Sequence, residues 1–393
     1  MTKDDVLQYV EEEGVKFIRL AFYTPFGVQK NVSIMPGQLR RAFEKGVAID
    51  ATQVFGPWAP QEHGTDLIIK PDPSTMIYLP WRSLENGVIH MVCDLYYPDG
   101  TPFQADTRSL LKDTLKTLYA YGLDVLMAAK IEFYLFEKDA QGNVTKNPFD
   151  QGGYMDVAPL DQGENIRREI CLLLEEMGLD PHKSYHQSGP GQNEIDFHFS
   201  EPLLAADEAS LFKWIVRTTA NSNGLYADFS PSPLKNQPGS AMHVQVRFLE
   251  GLEHQNAFIA GLLKYLPELQ LFMCSDSNSY MRFTHFNAPN RFDASDTRRN
   301  VMVRIPPLAK DVLEVRLPDS NSNPYLVFSL VLLAGLQGLK EGLHWNPQDQ
   351  KDFQKVANSL QEAKDLASQS SFVEENVDPQ IVKTYLALEE EVC

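Results

Sequence analysis

Apolar and polar residues alternate over short stretches in the first hundred residues, which predicts a small domain that contains several strands. Short helices are predicted at residues 1–14 and 36–45. Strands are predicted at residues 15–23, 28–34, 67–69, 76–79 and 88–95. The segment Pro98-Asp99-Gly100-Thr101-Pro102 then interrupts the pattern with turn-forming residues. We therefore predict a first domain at residues 1–100 and a second domain at residues 101–393.

The second domain combines helical and strand patterns. Leucines at helical spacing predict a helix at residues 107–121, and a second helix is predicted at 164–177. Strands are predicted at 127–136, 193–199, 241–249 and 311–317. The longest apolar run, residues 324–339, begins with proline and contains Ser, Gln and Gly. A membrane-spanning helix needs about 20 predominantly apolar residues, so we interpret this shorter run as a buried helix.

Four of the predicted strands carry charged residues on one face and apolar residues on the other. Their polar faces include Glu132, Glu194, His243 and Glu314, which are residue types that bind metal ions, and also Arg316. Arginine suits carboxylate or phosphate groups. Either these faces simply meet solvent, or a curved sheet brings them together as a site for metal ions and anions. The alternation alone leaves both interpretations open.

Composition and net charge limit the kinds of molecule that this protein is expected to bind. Of 393 residues, 43% are apolar and 22% are charged, which is typical of a folded protein. The net charge of −18 argues against nucleic acid or an anionic membrane as the main partner. The four cysteines are scattered and form no CxxC motif, and the acidic N-terminus lacks an apolar signal segment. We therefore expect a cytoplasmic location.

Many short segments, taken in order, resemble the glutamine synthetase family in its shorter bacterial and archaeal form. They extend over nearly the whole chain and include VKFIRL, GVAIDATQ, DLIIKPDPSTMIYLPW, GENIRREICLLLEEMG, PGQNEIDF, GSAMH, NSYMR, LEVR and NPYLVFSLVLLAGLQG. The resemblance implies an α+β fold, with an N-terminal β-grasp-like domain followed by a catalytic domain. In that domain a curved antiparallel sheet would form half a barrel with flanking helices. The resemblance also implies a homo-oligomer, a ring hexamer or a dodecamer, with active sites between subunits.

The same resemblance implies an ATP-dependent ligase. ATP would phosphorylate the γ-carboxylate of glutamate, and an amine would then displace the phosphate. The matching segments imply that Asp50 and Arg282 are catalytic, and that Asp50 acts on the amine bound by a neighbouring subunit. We predict Lys130, which departs from the family's pattern, as a further catalytic residue. The matching segments imply substrate binding by Tyr154, Gly239, Arg282 and Arg316, ATP binding by Arg299 and Arg304, and metal binding by Glu132, Glu194, His243 and Glu314. We predict that Gln187 adds its amide oxygen as a further metal ligand.

Several of these positions depart from the family's pattern. The family's Glu-x-Glu strand reads Lys130-Ile131-Glu132 here, and its His-His-Glu reads Tyr185-His186-Gln187. Two metal-binding carboxylates are therefore replaced. The glutamate of the family's mobile loop is Asn287, and an arginine expected two residues before Glu314 is Val312. The expected ammonium pocket thus has amides at two positions where the family has carboxylates.

These replacements change the charge of the expected metal site. The family's ligands are five carboxylates and one histidine. Here Glu132, Glu194 and Glu314 contribute −3 and Lys130 contributes +1, so the total is −2. That total suits one divalent ion per subunit, Mg²⁺ or Mn²⁺, rather than two. Lys130 would replace the second ion as a fixed cation, or would close the site by pairing with a glutamate.

Three functions remain open from the sequence. The first is a γ-glutamyl ligase that uses ATP, glutamate and an amine other than ammonia, because losing carboxylates favours a larger or neutral amine. The second is a catalytically impaired paralogue with a structural or regulatory role. The third is a different single-metal reaction in the same cavity, with Lys130 as base or nucleophile. Of these three hypotheses, we favour the first.

Overall fold

The computed structural model describes residues 1–56, 59–60, 65–81, 87–285, 287–348 and 353–389. The strands in these residues are β1 (Phe17–Tyr23), β2 (Gln29–Ile34), β3 (Val47–Asp50), β4 (Asp66–Pro71), β5 (Ile77–Tyr78), β6 (Val88–Tyr96), β7 (Asp124–Lys138), β8 (Val144–Pro148), β9 (Pro181–His186), β10 (Gln192–Phe197), β11 (Leu225–Asp228), β12 (Met242–Glu250), β13 (Ala294–Ser295), β14 (Val303–Arg304) and β15 (Val312–Val315). The α-helices are α1 (Lys3–Glu12), α2 (Leu39–Lys45), α3 (Ala51–Phe55), α4 (Thr107–Ala120), α5 (Glu164–Glu176), α6 (Pro202–Ser222), α7 (Gln255–Met273), α8 (Ser279–Arg282), α9 (Pro324–Lys340), α10 (Leu360–Ser368), α11 (Ser371–Asn376) and α12 (Pro379–Leu386).

The first sheet is small and mixed. Its strand order is β2-β1-β6-β4-β3, and β5 also pairs with β6. The pair β1–β6 is parallel and the other pairs are antiparallel. Helix α2 contacts β4 and buries Leu39 and Phe43, because its apolar residues recur at helical spacing. This sheet with its helix is the β-grasp part of the predicted α+β fold.

The second sheet supports most of the polar residues singled out above. Its order is β13-β14-β15-β12-β7-β10-β9, and β8 and β11 also pair with β7. All its pairs except β13–β14 are antiparallel. Strand β7 pairs with β12 along its first half and with β10 and β11 along its second half. It is therefore the central strand of a curled sheet, the predicted half-barrel.

The apolar run at residues 324–339 lies within helix α9, as predicted. Helix α9 contacts α4, α6 and α7, and its apolar residues are buried within its own chain. Asn323 caps the helix by accepting hydrogen bonds from the first backbone N–H groups, and Pro324 occupies its first turn. Across the described parts of the chain, no helix is both long and apolar enough to cross a membrane.

A buried ion cluster joins the two sheets. Arg108 of α4 donates two hydrogen bonds of 2.9 Å to Asp207 of α6, and Tyr325 donates to the same carboxylate at 2.6 Å. The same guanidinium lies 2.6 Å from Asp94 of β6 and 3.1 Å from Asp72, which follows β4. Arg108 is only 1% exposed, so these ion pairs are shielded from water. They connect the first sheet to helices α4 and α6 of the second domain.

Most elements predicted in both domains are present, with ends shifted by a few residues. Strands β3, β8, β9, β11, β13 and β14 were not predicted, because each is short and has little regular alternation. Strand β9 matters most for function, since it ends beside Gln187. The predicted domain boundary at residue 100 falls between the end of β6 and the start of α4.

Candidate active site

A cavity of about 530 Å³ opens over the concave side of the second sheet. Strands β7, β10, β12 and β15 form its floor, and the segments around residues 187–192, 238–241 and 282–304 form its walls. Of the residues singled out from the sequence, it is lined by Lys130, Glu132, Tyr154, Gln187, Glu194, Gly239, His243, Arg282, Arg299, Arg304, Glu314 and Arg316. The interpretation of four separate solvent-facing strands is therefore wrong, because one curled sheet brings their polar faces together.

Strand register explains why the carboxylates meet. Glu132 of β7 lies directly opposite Glu194 of β10, and Glu194 lies opposite Tyr185 of β9. Two residues earlier on β7, Lys130 lies between His243 of β12 and Asp196 of β10. Side chains two residues apart on a strand share a face. The alternation of charged residues on β7 and β10 therefore produces two adjacent polar rows.

Gln187 bridges the first row. Its amide nitrogen donates to Glu132 Oε1 at 2.9 Å and to Glu194 Oε2 at 2.7 Å. Its amide oxygen accepts from the backbone N–H of Ser188 at 2.9 Å and from the Ser188 hydroxyl at 3.1 Å. Because a backbone N–H can only donate, it fixes which end of the amide faces the glutamates. The amide oxygen would reach a metal ion between the glutamates only after the amide turns.

The paired glutamates repel each other. Burial raises the pKa of Glu194 well above its ordinary value, and the neighbouring charge of Glu132 raises it further. Burial also raises the pKa of Glu132, although hydrogen bonds such as that from the Ala241 amide oppose the change. Both shifts mean that this buried site disfavours two ionised carboxylates side by side. A cation between the two carboxylates would relieve that repulsion.

Lys130 supplies positive charge to the second row. Its ammonium nitrogen lies 3.2 Å from Glu314 Oε2 and 3.8 Å from Asp196 Oδ2. Burial alone would lower the pKa of Lys130, but Glu314, Asp196 and Glu194 raise it above its ordinary value. Burial would raise the pKa of Glu314, yet Lys130 and the neighbouring cations hold it at about 2. The pair therefore stays ionised at neutral pH, which argues against Lys130 as a base or nucleophile.

Arginines surround the opposite wall of the cavity. Arg282 is buried and donates to the backbone oxygen of Leu317, while Arg316 donates to the backbone oxygens of Arg299 and Asn287. Arg304 lies 3.4 Å from Glu314, and Arg299 is exposed at the cavity edge. This concentration of guanidinium groups beside a carboxylate row suits substrates with several negative charges.

Gly239 makes room for Arg282. A Cβ atom at this position would lie 2.3 Å from the backbone oxygen of Pro231 and 2.5 Å from Cγ of Arg282. Both distances are far below a normal contact, so any side chain would displace the arginine. Glycine is therefore required at position 239, because the backbone passes too close to Pro231 and Arg282 for any side chain.

A second wall is aromatic and neutral. The rings of Tyr154 and Tyr185 meet edge to face with centroids 5.8 Å apart, and the Tyr185 hydroxyl hydrogen-bonds to Glu194. Gln187 and Asn287 line the same cavity. The two tyrosines and Gln187 thus lie together around Glu194, and Asn287 lines the cavity from the segment that Arg316 contacts.

Asp50 is not among the described residues that line this cavity. It is exposed at the end of β3, where it caps α3 by accepting from the backbone N–H of Thr52 at 2.9 Å and from its hydroxyl at 2.5 Å. The Thr52 hydroxyl lowers the pKa of Asp50. Asp50 does not line the part of the cavity that the described residues form. Within a single chain, it therefore makes no contribution to this site.

The two metal positions implied by the family differ in how well their residues fit an ion. At the first, Glu132 and Glu194 are buried, opposite each other and short of positive charge, so they fit one divalent ion once the Gln187 amide turns aside. Such an ion would neutralise phosphate charge. At the second, the ammonium group of Lys130 lies against Glu314 beside His243. That position therefore does not fit a second divalent ion.

A separate buried group, Asp150, Asp161 and His186, also has ligand-type atoms within 4.8 Å of one another. Its ligand atoms are already engaged by contacts within the chain. His186 Nδ1 faces the Gln187 backbone oxygen at 2.7 Å and Nε2 faces Asp150 at 2.8 Å, so both nitrogens must donate. Arg167 already forms an ion pair of 2.5 Å with Asp161. This group instead anchors the segment that carries Gln187.

Four residues around the carboxylates were not predicted from the sequence to belong to the site. Asp196 is buried between Lys130 and Lys183, and the latter lies 3.3 Å away. Gln192 donates to Glu132 at 3.5 Å, and Gln245 donates to Glu314 at 3.0 Å. Asp196 and Gln245 share the polar alternation of their strands, so that signal was available. Lys183 gave no such signal, because β9 was not predicted.

Similarity to solved structures supports the fold. Two structures of GmaS, one titled as a complex with ADP and one as an apo form, superpose with a TM-score of 0.86 each. They are 22% and 23% identical to this chain and cover 96% and 97% of it, and the match covers 93% and 94% of their own chains. At this identity the likeness concerns the fold alone.

Sequence comparisons define the family. The profile described as "Glutamine synthetase, beta-Grasp domain" matches residues 14–98, and "Glutamine synthetase, catalytic domain" matches residues 104–392. Glutamine synthetase from Methanosarcina mazei is 36% identical over 99% of this chain and 93% of its own length. Glutamine synthetase from Clostridium saccharobutylicum is 34% identical over 98% of this chain and 94% of its own length. The chain therefore belongs to the glutamine synthetase family, whose members are ATP-dependent carbon–nitrogen ligases.

Proposed function

We propose that this ligase activates the γ-carboxylate of glutamate with ATP and joins it to an amine that carries an organic substituent, rather than to ammonia. The proposal rests chiefly on one observation. We assign the amine to the part of the cavity that Tyr154, Tyr185, Gln187 and Asn287 line; none of these four side chains carries a negative charge at neutral pH, and the neighbouring Glu194 is already hydrogen-bonded by Tyr185 and Gln187. Free ammonium binds best where carboxylates surround it.

The aromatic corner supports a substituted amine. Tyr154 is half exposed at the cavity mouth, and its ring meets that of Tyr185 edge to face. Two such faces can cover an alkyl or aryl group and remove its apolar surface from water. The amine nitrogen would then be oriented by the amide of Asn287. A substituent therefore provides the binding energy that the missing carboxylates would give to ammonium.

The charged walls support the two anionic substrates. We assign the glutamate carboxylates to Arg282, Arg316 and the Gly239 segment, and the ATP phosphates to Arg299 and Arg304. One of the structural relatives is titled as an ADP complex, in keeping with a nucleotide substrate. We further propose that each subunit uses one divalent ion, Mg²⁺ or Mn²⁺, held by Glu132 and Glu194. In this arrangement Lys130 provides the second fixed positive charge.

We also propose a ring hexamer or dodecamer, since members of this family are typically oligomeric. Asp50 supports this arrangement, because it is exposed and is not among the described residues that line the cavity of its own chain. In a ring, a neighbouring subunit would present Asp50 to the amine pocket. The chain would then be incomplete as a catalyst on its own.

A phosphate-release assay with a panel of amines tests the function. With ATP, glutamate and Mg²⁺, we expect rapid release only when a primary alkyl or aryl amine is added, and mass spectrometry should detect the matching γ-glutamyl amide. The Gln187→Glu/Asn287→Glu variant should shift preference toward ammonium. Rates with ammonium that equal those with every amine would contradict the proposal. No glutamate-dependent release with any amine would instead support the catalytically impaired paralogue.

A further inference from the structure

Helix α8 carries Arg282 as its last residue, and one neighbouring segment holds this helix at both ends. That segment, residues 317–320, lies just beyond the end of β15. The hydroxyl of Ser279, the first residue of α8, donates to Oδ2 of Asp319 at 2.7 Å. At the other end of the helix, the Arg282 guanidinium donates to the backbone oxygen of Leu317. These two contacts therefore fix a helix of only four residues.

Asp319 lies behind the wall of the cavity. It is 1% exposed and Ser279 is fully buried, and neither is among the described residues that line the cavity. Oδ1 of Asp319 accepts from the backbone N–H groups of Asn321 and Ser322 at 2.9 and 3.0 Å. Because these two bonds fix the carboxylate, Oδ2 is directed at Ser279. A carboxylate in this position can influence a ligand in the cavity only through the residues that it holds.

The segment at residues 317–320 also holds the wall on the other side of α8. The backbone N–H of Met242 donates to the backbone oxygen of Pro318 at 3.0 Å. The hydroxyl of Ser320 donates to the backbone oxygen of Ala241 at 2.8 Å. These contacts lie two and three residues beyond Gly239 in the chain. A change where the segment meets α8 would therefore alter how Arg282 lies relative to the Gly239 wall.

Arg282 has a hydrogen-bond donor that no residue in the described part of the chain uses. The residue is 4% exposed and lines the cavity, and its buried Nε has no hydrogen-bond partner there. The Nε of Arg316 is buried and unpaired as well. A buried donor without a partner costs free energy, and an anionic ligand in the cavity would remove that cost. Since the guanidinium is planar, the direction of its free N–H depends on how the arginine is held.

We propose that Ser279 and Asp319 are positioning residues for Arg282 and determine how tightly the cavity binds the glutamate carboxylate. This inference rests on the proposed function in one respect, the assignment of glutamate to Arg282, and it does not depend on the identity of the amine. The contact between Ser279 and Asp319 keeps α8 in the orientation that directs the free N–H into the cavity. Without the contact, the guanidinium stays in the site but is misaligned, and misaligned groups bind much more weakly.

Calorimetry on the full-length protein with glutamate, ADP and Mg²⁺ tests this role without requiring turnover. We expect Ser279→Ala to weaken glutamate binding by about tenfold and to leave ADP binding unchanged. Asp319→Asn should weaken glutamate binding at least as much, because an amide nitrogen facing Ser279 cannot accept from its hydroxyl. Ser279→Ala removes only one oxygen atom, so it keeps the test decisive even if Asp319→Asn does not fold.

A double-variant comparison shows whether the effect passes through the arginine. In the Arg282→Lys background, Ser279→Ala should cause no further loss of glutamate binding, measured by thermal shift at high glutamate concentration. Two residues that act through one group give effects that do not add. A general loosening of the cavity would instead weaken ADP binding too and would lower glutamate affinity equally in both backgrounds.

Ser210→Ala is the matched control. Ser210 is also buried, and its hydroxyl donates to the backbone oxygen of Ala206 at 2.8 Å within α6. This variant should bind glutamate like the unaltered protein. The inference is overturned if Ser279→Ala binds glutamate with unchanged affinity, or if its effect adds fully to that of Arg282→Lys. If the unaltered protein binds no glutamate, the proposed function itself is overturned, and this inference with it.

Discussion

The ammonium nitrogen of Lys130 lies 3.2 Å from Oε2 of Glu314, where the glutamine synthetase pattern places two carboxylates. The lysine also faces Asp196, which in turn contacts Lys183. Since Asp196 and Lys183 cancel, the formal charge of the site stays at −2, from three glutamates and one lysine. A protein cation thus lies among the carboxylates of this row.

Metal stoichiometry should follow from that charge. We expect the unaltered protein to bind one Mn²⁺ per subunit in calorimetry. Lys130→Glu combined with Gln187→Glu changes the formal charge by −2 and −1, giving −5, so the double variant should bind two ions. Two tightly bound ions per subunit in the unaltered protein would contradict the role given to Lys130.

Replacing Gln187, which bridges Glu132 and Glu194, should make the free energy of unfolding depend on Mg²⁺. Gln187→Met leaves Glu132 and Glu194 without their shared donor, which should cost about 1–3 kcal/mol in the presence of EDTA. Mg²⁺ should restore most of the loss, because an ion can then occupy the space between the carboxylates. The comparison is made by thermal unfolding with and without Mg²⁺.

Gln270→Met is the control for that experiment. Gln270 is also buried, but it donates to the backbone oxygen of Pro267 and accepts from the Ala357 amide, with no carboxylate involved. Its replacement should lower stability to the same extent with and without Mg²⁺. Equal Mg²⁺ rescue of both variants would show that the ion acts elsewhere.

The cluster around Arg108 should be the most costly ion pair to break. Arg108→Met leaves Asp72, Asp94 and Asp207 without their common partner, and we expect a loss of about 3–5 kcal/mol in urea unfolding. Lys116→Met removes an exposed pair with Asp113 and should leave the urea midpoint unchanged. A similar loss in both variants would mean that the buried cluster does not hold the sheets together.

His90 should make the interface between the sheets sensitive to acid. It is buried on β6, its ring stacks on Trp214 of α6 at 5.7 Å, and burial together with the charge of Arg19 lowers its pKa from 6.5 to about 4. Above pH 6.5 the ring is neutral in both the folded and the unfolded chain, so its titration costs no stability. As the pH falls from 6.5 toward 4, only the unfolded chain takes up the proton, and the folded state loses stability. Between about pH 7.5 and pH 5 the loss should be about 2 kcal/mol.

The His90→Gln variant isolates this effect from other titrating groups. It should be less stable at both pH values, because it lacks the stacked ring, but its loss between them should be smaller by about 2 kcal/mol. Urea unfolding at the two pH values gives this difference. Equal losses in the variant and the unaltered protein would show that His90 does not titrate as described.

Mixed oligomers should reveal the position of Asp50. Asp50→Asn and Arg316→Ala should each abolish most amide formation, since one lies outside its own cavity and the other lines it. When the two variants are mixed and reassembled, some cavities should combine an intact Arg316 with an intact Asp50 from a neighbour. Partial recovery of activity is the expected result, and sedimentation should show species well above 44.4 kDa. A fully active monomer would contradict the ring.

The sequence alone identified the strands that carry the site and the residue types on their polar faces. Alternation on β7, β10, β12 and β15 is a local property, because side chains two apart on a strand share a face. The replacements at Lys130, Gln187 and Asn287 were also visible without a structure. Family membership, ligase type and the buried helix α9 followed from the order of the matching segments and the length of one apolar run.

Only the tertiary structure determined which hydrogen bonds and ion pairs these residues form with one another. Gln187 could present its oxygen to a metal or its nitrogen to Glu132 and Glu194, and the backbone N–H of Ser188 determines which. Lys183 reaches Asp196 through an unpredicted strand, and His182 meets His198 through the same strand. Such contacts join residues far apart in the sequence. They depend on register and side-chain rotation, which no local pattern of apolar and polar residues contains.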